Sequence, residues 1–221
     1  MLKITFFLMV LFMSLLSFAK SYDWEQFNSS LLIEVTRPGG VFTCTGVAVS
    51  DQMLITAAHC LEGNVKSVRV FTQEVYDPKQ TSLEIKDFKL HPTYNPHQSR
   101  YYSDLAKIQM KEKLPAFIKV HPIASERKFF GKFYRFGFGA RDKKNLRTVI
   151  TPTLRKVNPA EEVLELNDEY SRSGDSGGPI FMQNGNEIQL VAIHSTFSHG
   201  PEGNFSLNPL LSAYLPWIFS N

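Results

Sequence analysis

The sequence predicts an all-β protein, and three observations carry that prediction. Short apolar runs recur along the chain. Gly, Pro, Ser or Asp breaks them at close intervals, and no stretch before the C-terminus shows a clean helical stripe. Many short strands separated by turn residues suit a barrel or a sandwich.

The elements follow in order. LLIEV (31–35), TGVAV (45–49) and MLITA (53–57) are brief apolar strands. VKSVRVF alternates Val65, Val68 and Val70 imperfectly, and TSLEIKDFKL sets Leu83, Ile85 and Phe88 near a two-residue period. YYSDLAKIQM enters a further alternating strand at Asp104. After the proline-bearing segment LPAFIKVHP (114–122) come FYRFGF, RTVIT, EIQLVAIHS and GNFSLN. That segment divides the chain naturally, with about half a dozen strands on either side. The C-terminal LLSAYLPWIF spaces apolar residues as a helix does, but Pro216 interrupts it, so a helix there is short. The many phenylalanines and tyrosines read as core.

The chain begins with Lys3, an apolar run from Ile4 to Phe18, and small residues at Ser17 and Ala19. This is the plan of a secretory signal peptide over residues 1–19. A run of about 15 apolar residues falls short of the roughly 20 that span a bilayer, so no lasting membrane insertion is expected once the signal is removed. A secreted or periplasmic location follows. The formal net charge is +3, and basic residues such as Lys143, Lys144 and Arg147 are scattered among turns rather than aligned in a stripe. That excludes a nucleic-acid track. The two cysteines, Cys44 and Cys60, favour a disulfide over a metal site in an exported chain. Neither a metal nor a cofactor is called for.

Three polar residues need one another. Ser176 lies in SRSGDSGGP, where glycines permit tight backbone geometry and leave a hydroxyl uncovered. His59 lies in LITAAHC, at the end of an apolar strand, and Asp104 at the entry of another. Acyl transfer by a serine requires a base to take its proton, a carboxylate to hold that base in one tautomer, and donors facing the developing oxyanion. The other histidines (His91, His97, His121 and His199) sit in turn contexts and read as structural or exposed.

TAAHC, then DLA, then GDSGGP resembles the trypsin/chymotrypsin family of serine proteases, in that family's order His, Asp, Ser. The resemblance extends over essentially the whole chain after the signal, including HPTYN, the GFG of residues 137–139 and the AYLPWI ending. It implies two six-stranded antiparallel β-barrels with the active site between them. Residues 20–117 would carry His59 and Asp104; residues 118–221 would carry Ser176 and the primary specificity pocket, and end in a short helix. His59 would act as general base and then acid, Asp104 would orient it, and Ser176 would attack the peptide carbonyl. The backbone N–H groups of Gly174 and Ser176 would form the oxyanion hole, and Ser195 would close the triad. Peptides or proteins would be the substrates.

Four departures from the family pattern qualify that likeness. The Ile-Val-Gly-Gly start is missing, so the aspartate that a new N-terminal amine would engage, Asp175, must find another partner. Few disulfides are present, and Arg172 stands where a cysteine is usual. Tyr170 replaces the pocket-floor aspartate of enzymes that cleave after Lys or Arg, which argues against that specificity. Phe197 adds bulk to the pocket wall. His194 with Ser171 and Ser173 matches the glutamate-specific branch, so the pocket would take either an apolar residue or Glu at P1. The competing class is an inactive member of the fold that serves as a binding module.

Overall fold

The computed structural model describes residues 24–98, 103–126, 128–141, 144–158, 160, 162–201 and 203–220. The signal peptide expected over 1–19 lies outside the described residues, as does Lys143.

The first half builds one antiparallel sheet from β1 (Ser30–Arg37), β2 (Gly40–Ala48), β3 (Met53–Thr56), β4 (Ser67–Phe71), β5 (Ile85–Leu90) and β6 (Ala106–Met110), ordered β4-β1-β2-β3-β6-β5. Its two edges meet where Val70 bridges Leu83, just ahead of β5. β1 sits between β2 and β4, and Leu31, Leu32, Ile33 and Val35 are all buried. Glu34, in the middle of that run, is held by its cross-strand neighbour Arg69 at 2.7 and 2.8 Å and by the hydroxyl of Tyr76. A buried carboxylate is tolerated there because it is fully engaged.

The second half contains β7 (Lys132–Gly137), β8 (Ala140–Arg141), β9 (Lys144–Asn145), β10 (Thr148–Ile150), β11 (Thr153–Asn158), β12 (Val163–Asn167), β13 (Pro179–Asn184), β14 (Glu187–Ile193), β15 (Thr196–Gly200) and β16 (Gly203–Pro209). These form two four-stranded sheets, β10-β7-β13-β14 and β11-β12-β16-β15, and the small β8–β9 ribbon. Thr151 and Pro152 separate β10 from β11, and the proline has no N–H to offer a ladder there. The Ala192–Leu210 bridge joins the two sheets at their other side. The architecture is nearly all-β, as the sequence predicts, and ends in the short helix α2 (Leu215–Ile218). Pro216 falls in the first turn of α2, where its missing N–H costs nothing.

The ends of the chain lace the halves together. Phe27, ahead of β1, packs its ring against Tyr134, Phe136 and Phe181 of the second half. In return, Lys107 of β6 donates through Nζ to the carbonyls of Trp217 (3.1 Å) and Ser220 (2.6 Å), while His91 stacks edge-on to Tyr214 and Trp217. One apolar cluster therefore runs from Leu31 and Ile55 through Phe136 and Phe181 to Ile218. Among the described residues no helix is long and apolar enough to cross a membrane.

Candidate active site

His59 stands on α1 (Ala58–Leu61), a single turn that begins directly after β3. Small Ala57 and Ala58 are fully buried and let this turn pack tightly. The Cys44–Cys60 disulfide ties it to β2. Arg37 adds a second brace by donating to the carbonyls of His59 (3.0 Å) and Cys60. With both sulfurs in the disulfide, the Cys44–His59–Cys60 cluster offers no thiolate to a metal ion.

Asp104 is 0% exposed. Its Oδ1 accepts the backbone N–H of His59 at 2.9 Å. Its Oδ2 faces His59 Nδ1 at 2.8 Å and accepts the hydroxyl of Ser195 at 2.6 Å. Because a carboxylate only accepts, this geometry puts the imidazole proton on Nδ1 and leaves Nε2 as a lone pair.

Ser176 occupies the turn between Asp168 and Pro179, wedged against the first half. The turn touches the strand–helix junction that carries His59: a Cβ added to Gly177 would lie 2.1 Å from Thr56 Oγ1 and 2.8 Å from the nitrogen of Ala57. With its φ of +81°, this is a position only glycine fills. No hydrogen bond joins Ser176 Oγ to His59 Nε2; such contacts often tighten only when substrate binds.

Thr45 of β2 organises the turn from across the interface. Its N–H donates to the Ser176 carbonyl (2.8 Å), and its hydroxyl donates to the Gly174 carbonyl (2.8 Å) and accepts the N–H of Phe138 (2.9 Å). The Ser173 carbonyl takes the N–H of Ala140, and the N–H groups of Asp175, Gly177 and Gly178 go to the carbonyls of Arg172, His194 and Asp175. Within Gly174–Gly178, the N–H groups of Gly174 and Ser176 alone donate to no protein acceptor. Two unspent backbone donors one residue apart are what an oxyanion needs.

Asp175, 0% exposed, is held by an internal cation, Arg135 of β7. Arg135 Nη1 lies 3.0 Å from Asp175 Oδ2, and its Nε lies 2.7 Å from Asp168 Oδ2. The N–H groups of Gly139 (2.8 Å) and Arg172 (2.9 Å) also donate to Asp175. Burial alone would raise the Asp168 carboxyl, but the Arg135 guanidinium and the Ser171 hydroxyl outweigh it and hold that carboxyl below its usual range.

The residues expected from the sequence to line a pocket separate into buried and exposed groups. Ser171, His194 and Ser195 are buried. Ser171 Oγ donates to Asp168 Oδ2 at 2.9 Å and faces His194 Nε2 at 3.3 Å. Asn208 Nδ2 donates to the Leu164 carbonyl, so its Oδ1 faces His194 Nδ1 at 3.2 Å and fixes the proton on Nδ1. Burial, with the Arg135 charge close by, pushes His194 down to about 4. Ser173 is exposed, as are Tyr170 (58%) and Phe197 (40%). Tyr170 lines a cleft of about 340 Å³ with Pro152, Asn167 and Asp168, and Phe197 lies edge-on to His199.

Sequence reasoning passed over Thr45, Arg135 and Asp168. The available signals were the threonine that follows Cys44 at the start of TGVAV and a lone arginine inside FYRFGF, both out of keeping with the apolar residues around them.

Comparison with known proteins shows the family. The Trypsin family model matches residues 25–218. CLIP domain-containing serine protease B4 of Anopheles gambiae is 22% identical over 89% of this chain and 67% of its own length. Phenoloxidase-activating factor 3 of Holotrichia diomphalia is 24% identical over 90% and 70%, respectively. CLIP domain-containing serine protease C9 of Anopheles gambiae is 23% identical over 81% of this chain and 60% of its own length. With a family match that runs from the first β-strand to the C-terminal helix, the chain belongs to the trypsin family of serine proteases.

Proposed function

We propose that this protein is a secreted serine endopeptidase that works through an acyl-enzyme. The observation that carries the reading is the doubly engaged Asp104, which fixes His59 with Nε2 free to accept a proton. Ser176 attacks the scissile carbonyl while His59 takes its proton, then returns it to the leaving amine. The developing oxyanion is met by the N–H groups of Gly174 and Ser176, each such donor being worth about 3 kcal/mol of barrier. Water then repeats the sequence on the ester. Asp104 remains an anion throughout, supported by the hydroxyl of Ser195. Export rests on the reading of residues 1–19, and the disulfide fits an oxidising compartment.

The pocket chemistry favours an apolar P1 residue over Lys, Arg or Glu. Asp168, the buried acid beside Ser171, is already engaged by Arg135 and so is poorly placed to receive a substrate cation. His194 turns a lone pair, not a proton, toward Ser171, and burial opposes its protonation. A substrate carboxylate would therefore have to bring a proton with it. A peptide library should be cut mainly after Phe or Leu; predominant cleavage after Glu, Lys or Arg would overturn this specificity.

The rival reading is a binding protein of the same fold without catalysis. A fluorophosphonate probe followed by mass mapping separates the two. Modification of Ser176, lost in Ser176→Ala, is expected. No modification under conditions that label trypsin would sink the enzyme reading.

A further inference from the structure

Thr45 stands in β2 of the first half, yet what its side chain holds belongs to the second. It is 0% exposed, and a hydroxyl sealed from water needs its partners inside the protein. Oγ1 has two. It accepts the N–H of Phe138 at 2.9 Å and donates its own proton to the Gly174 carbonyl at 2.8 Å. An amide N–H only donates and a carbonyl only accepts, so the hydroxyl proton has one place to go. The Thr45 backbone is engaged as well. Its N–H donates to the Ser176 carbonyl at 2.8 Å, and its carbonyl accepts the hydroxyl of Thr56 at 2.7 Å. Thr56, also 0% exposed, ends β3, the strand that leads into His59.

The turn around Ser176 is held by its carbonyls. That of Ser173 accepts the N–H of Ala140 at 3.1 Å, that of Asp175 accepts the N–H of Gly178 at 2.9 Å, and those of Gly174 and Ser176 both go to Thr45. A trans peptide points its C=O and N–H in opposite directions, so a carbonyl fixed on one side aims the N–H of the same peptide to the other. The Ser173–Gly174 and Asp175–Ser176 peptides carry the two unspent donors, and the Gly174–Asp175 peptide is the link between them. Among the described residues, the carbonyl of that link accepts from Thr45 alone. Gly174, with its φ of +101°, has no side chain to resist rotation of the link. Its orientation therefore depends on a hydrogen bond rather than on local sterics.

We propose that Thr45 is a positioning residue for the oxyanion donors. Its hydroxyl sets the Gly174–Asp175 peptide so that the N–H groups of Gly174 and Ser176 converge, and through Thr56 it ties them to the strand that carries His59. This rests on the proposed Ser176 chemistry and adds a separate claim about what shapes the anion site. The donors belong to the second half and their alignment comes from the first, so the site is complete only when the two halves are docked.

The test compares Thr45→Val and Thr45→Ser with wild type in the full secreted chain. It reads kcat and KM on a chromogenic peptide with Phe at P1, and the affinity of two inhibitors built on that peptide. One ends in a trifluoromethyl ketone: Ser176 Oγ adds to its carbonyl carbon, the serine proton passes to His59, and the ketone oxygen becomes an anion facing the two donors. The other ends in a carboxamide and forms no adduct. Valine matches threonine in shape but lacks the hydroxyl. Thr45→Val should lower kcat by about tenfold to 100-fold, at most the loss of one donor, with KM within about threefold. Affinity for the ketone should fall by the same factor, and affinity for the carboxamide should hold within about threefold. Thr45→Ser keeps the hydroxyl and should restore kcat to within about threefold of wild type. A folded Thr45→Val within about threefold of wild-type kcat overturns the inference and leaves the enzyme reading intact. Equal weakening of ketone and carboxamide also overturns it, because it marks a general loss of structure. So does a Thr45→Ser protein that melts like wild type but loses about tenfold or more in kcat, and this arm decides alone if Thr45→Val does not fold. Wild type that forms no ketone adduct sinks the enzyme reading itself and this inference with it.

Discussion

Replacing Asp104 by Asn tests the heart of the site, and the structure dictates which way the amide must point. Oδ1 accepts the backbone N–H of His59 at 2.9 Å, and that N–H can only donate. The Asn oxygen is therefore forced into the Oδ1 position, and its NH₂ falls where Oδ2 now meets His59 Nδ1 at 2.8 Å and the Ser195 hydroxyl at 2.6 Å. Facing a donor, Nδ1 must become the acceptor, and the proton moves to Nε2, the nitrogen that should receive the serine proton. The base is lost while the geometry survives, since the Ser195 hydroxyl can rotate to accept. The same exchange in the Ser-His-Asp template lowers kcat about 10⁴-fold, which is about 5 kcal/mol on the barrier. Initial rates on a chromogenic peptide carrying Phe at P1 would measure it, with a thermal melt to confirm folding. An Asp104→Asn protein within about tenfold of wild-type kcat would refute the tautomer argument.

Two further outcomes concern stability. The disulfide closes a loop of 16 residues, so Cys44→Ser with Cys60→Ser should cost about 3 kcal/mol by loop entropy. Activity should survive better than stability, because Arg37 and Asp104 still brace His59; chemical denaturation showing a loss under about 1 kcal/mol would contradict the estimate. His194 provides the pH dependence. Its folded-state pKa of about 4 lies below the ordinary value of 6.5, so the unfolded chain takes up a proton that the folded one refuses. Its contribution to stability is complete above the unfolded value and is lost as pH falls from there toward about 4, while Asp168, also depressed, loses its contribution only as pH falls below its ordinary value of 3.8. Melting temperatures of wild type should therefore drop more steeply between pH 6.5 and pH 4 than those of His194→Gln, and parallel curves would argue against a buried neutral imidazole.

The strands legible from the sequence are those whose apolar runs face a core on both sides or alternate cleanly, such as LLIEV in β1 and EIQLVAI in β14. β11 and β12 were not legible, because TLRKVN leaves Thr153, Leu154 and Lys156 exposed and VLELN carries acids and amides among its apolar residues. Tyr170 and Phe197 show a different limit. The resemblance set Tyr170 at the pocket floor and Phe197 on its wall, whereas how far each side chain is covered depends on the local backbone and on the neighbours it meets. Here both aromatic residues reach solvent.

What the sequence determined by itself was local: strand-forming runs, glycines at turns, and three candidate residues with complementary chemistry. His59, Asp104 and Ser176 were singled out together because TAAHC, DLA and GDSGGP resemble the motifs of the trypsin/chymotrypsin family in that family's order. What only the tertiary structure decided was which charge meets which. Arg135 and Asp175 are separated by five strands, β8 to β12, and no periodicity relates them. They meet because β7 and β13 pair and the turn ahead of β13 folds back over Gly137 and Gly139. Thr45 reaches the same turn from the other half of the molecule. A buried charge finds its partner through space, whereas a sequence records only neighbours along the chain.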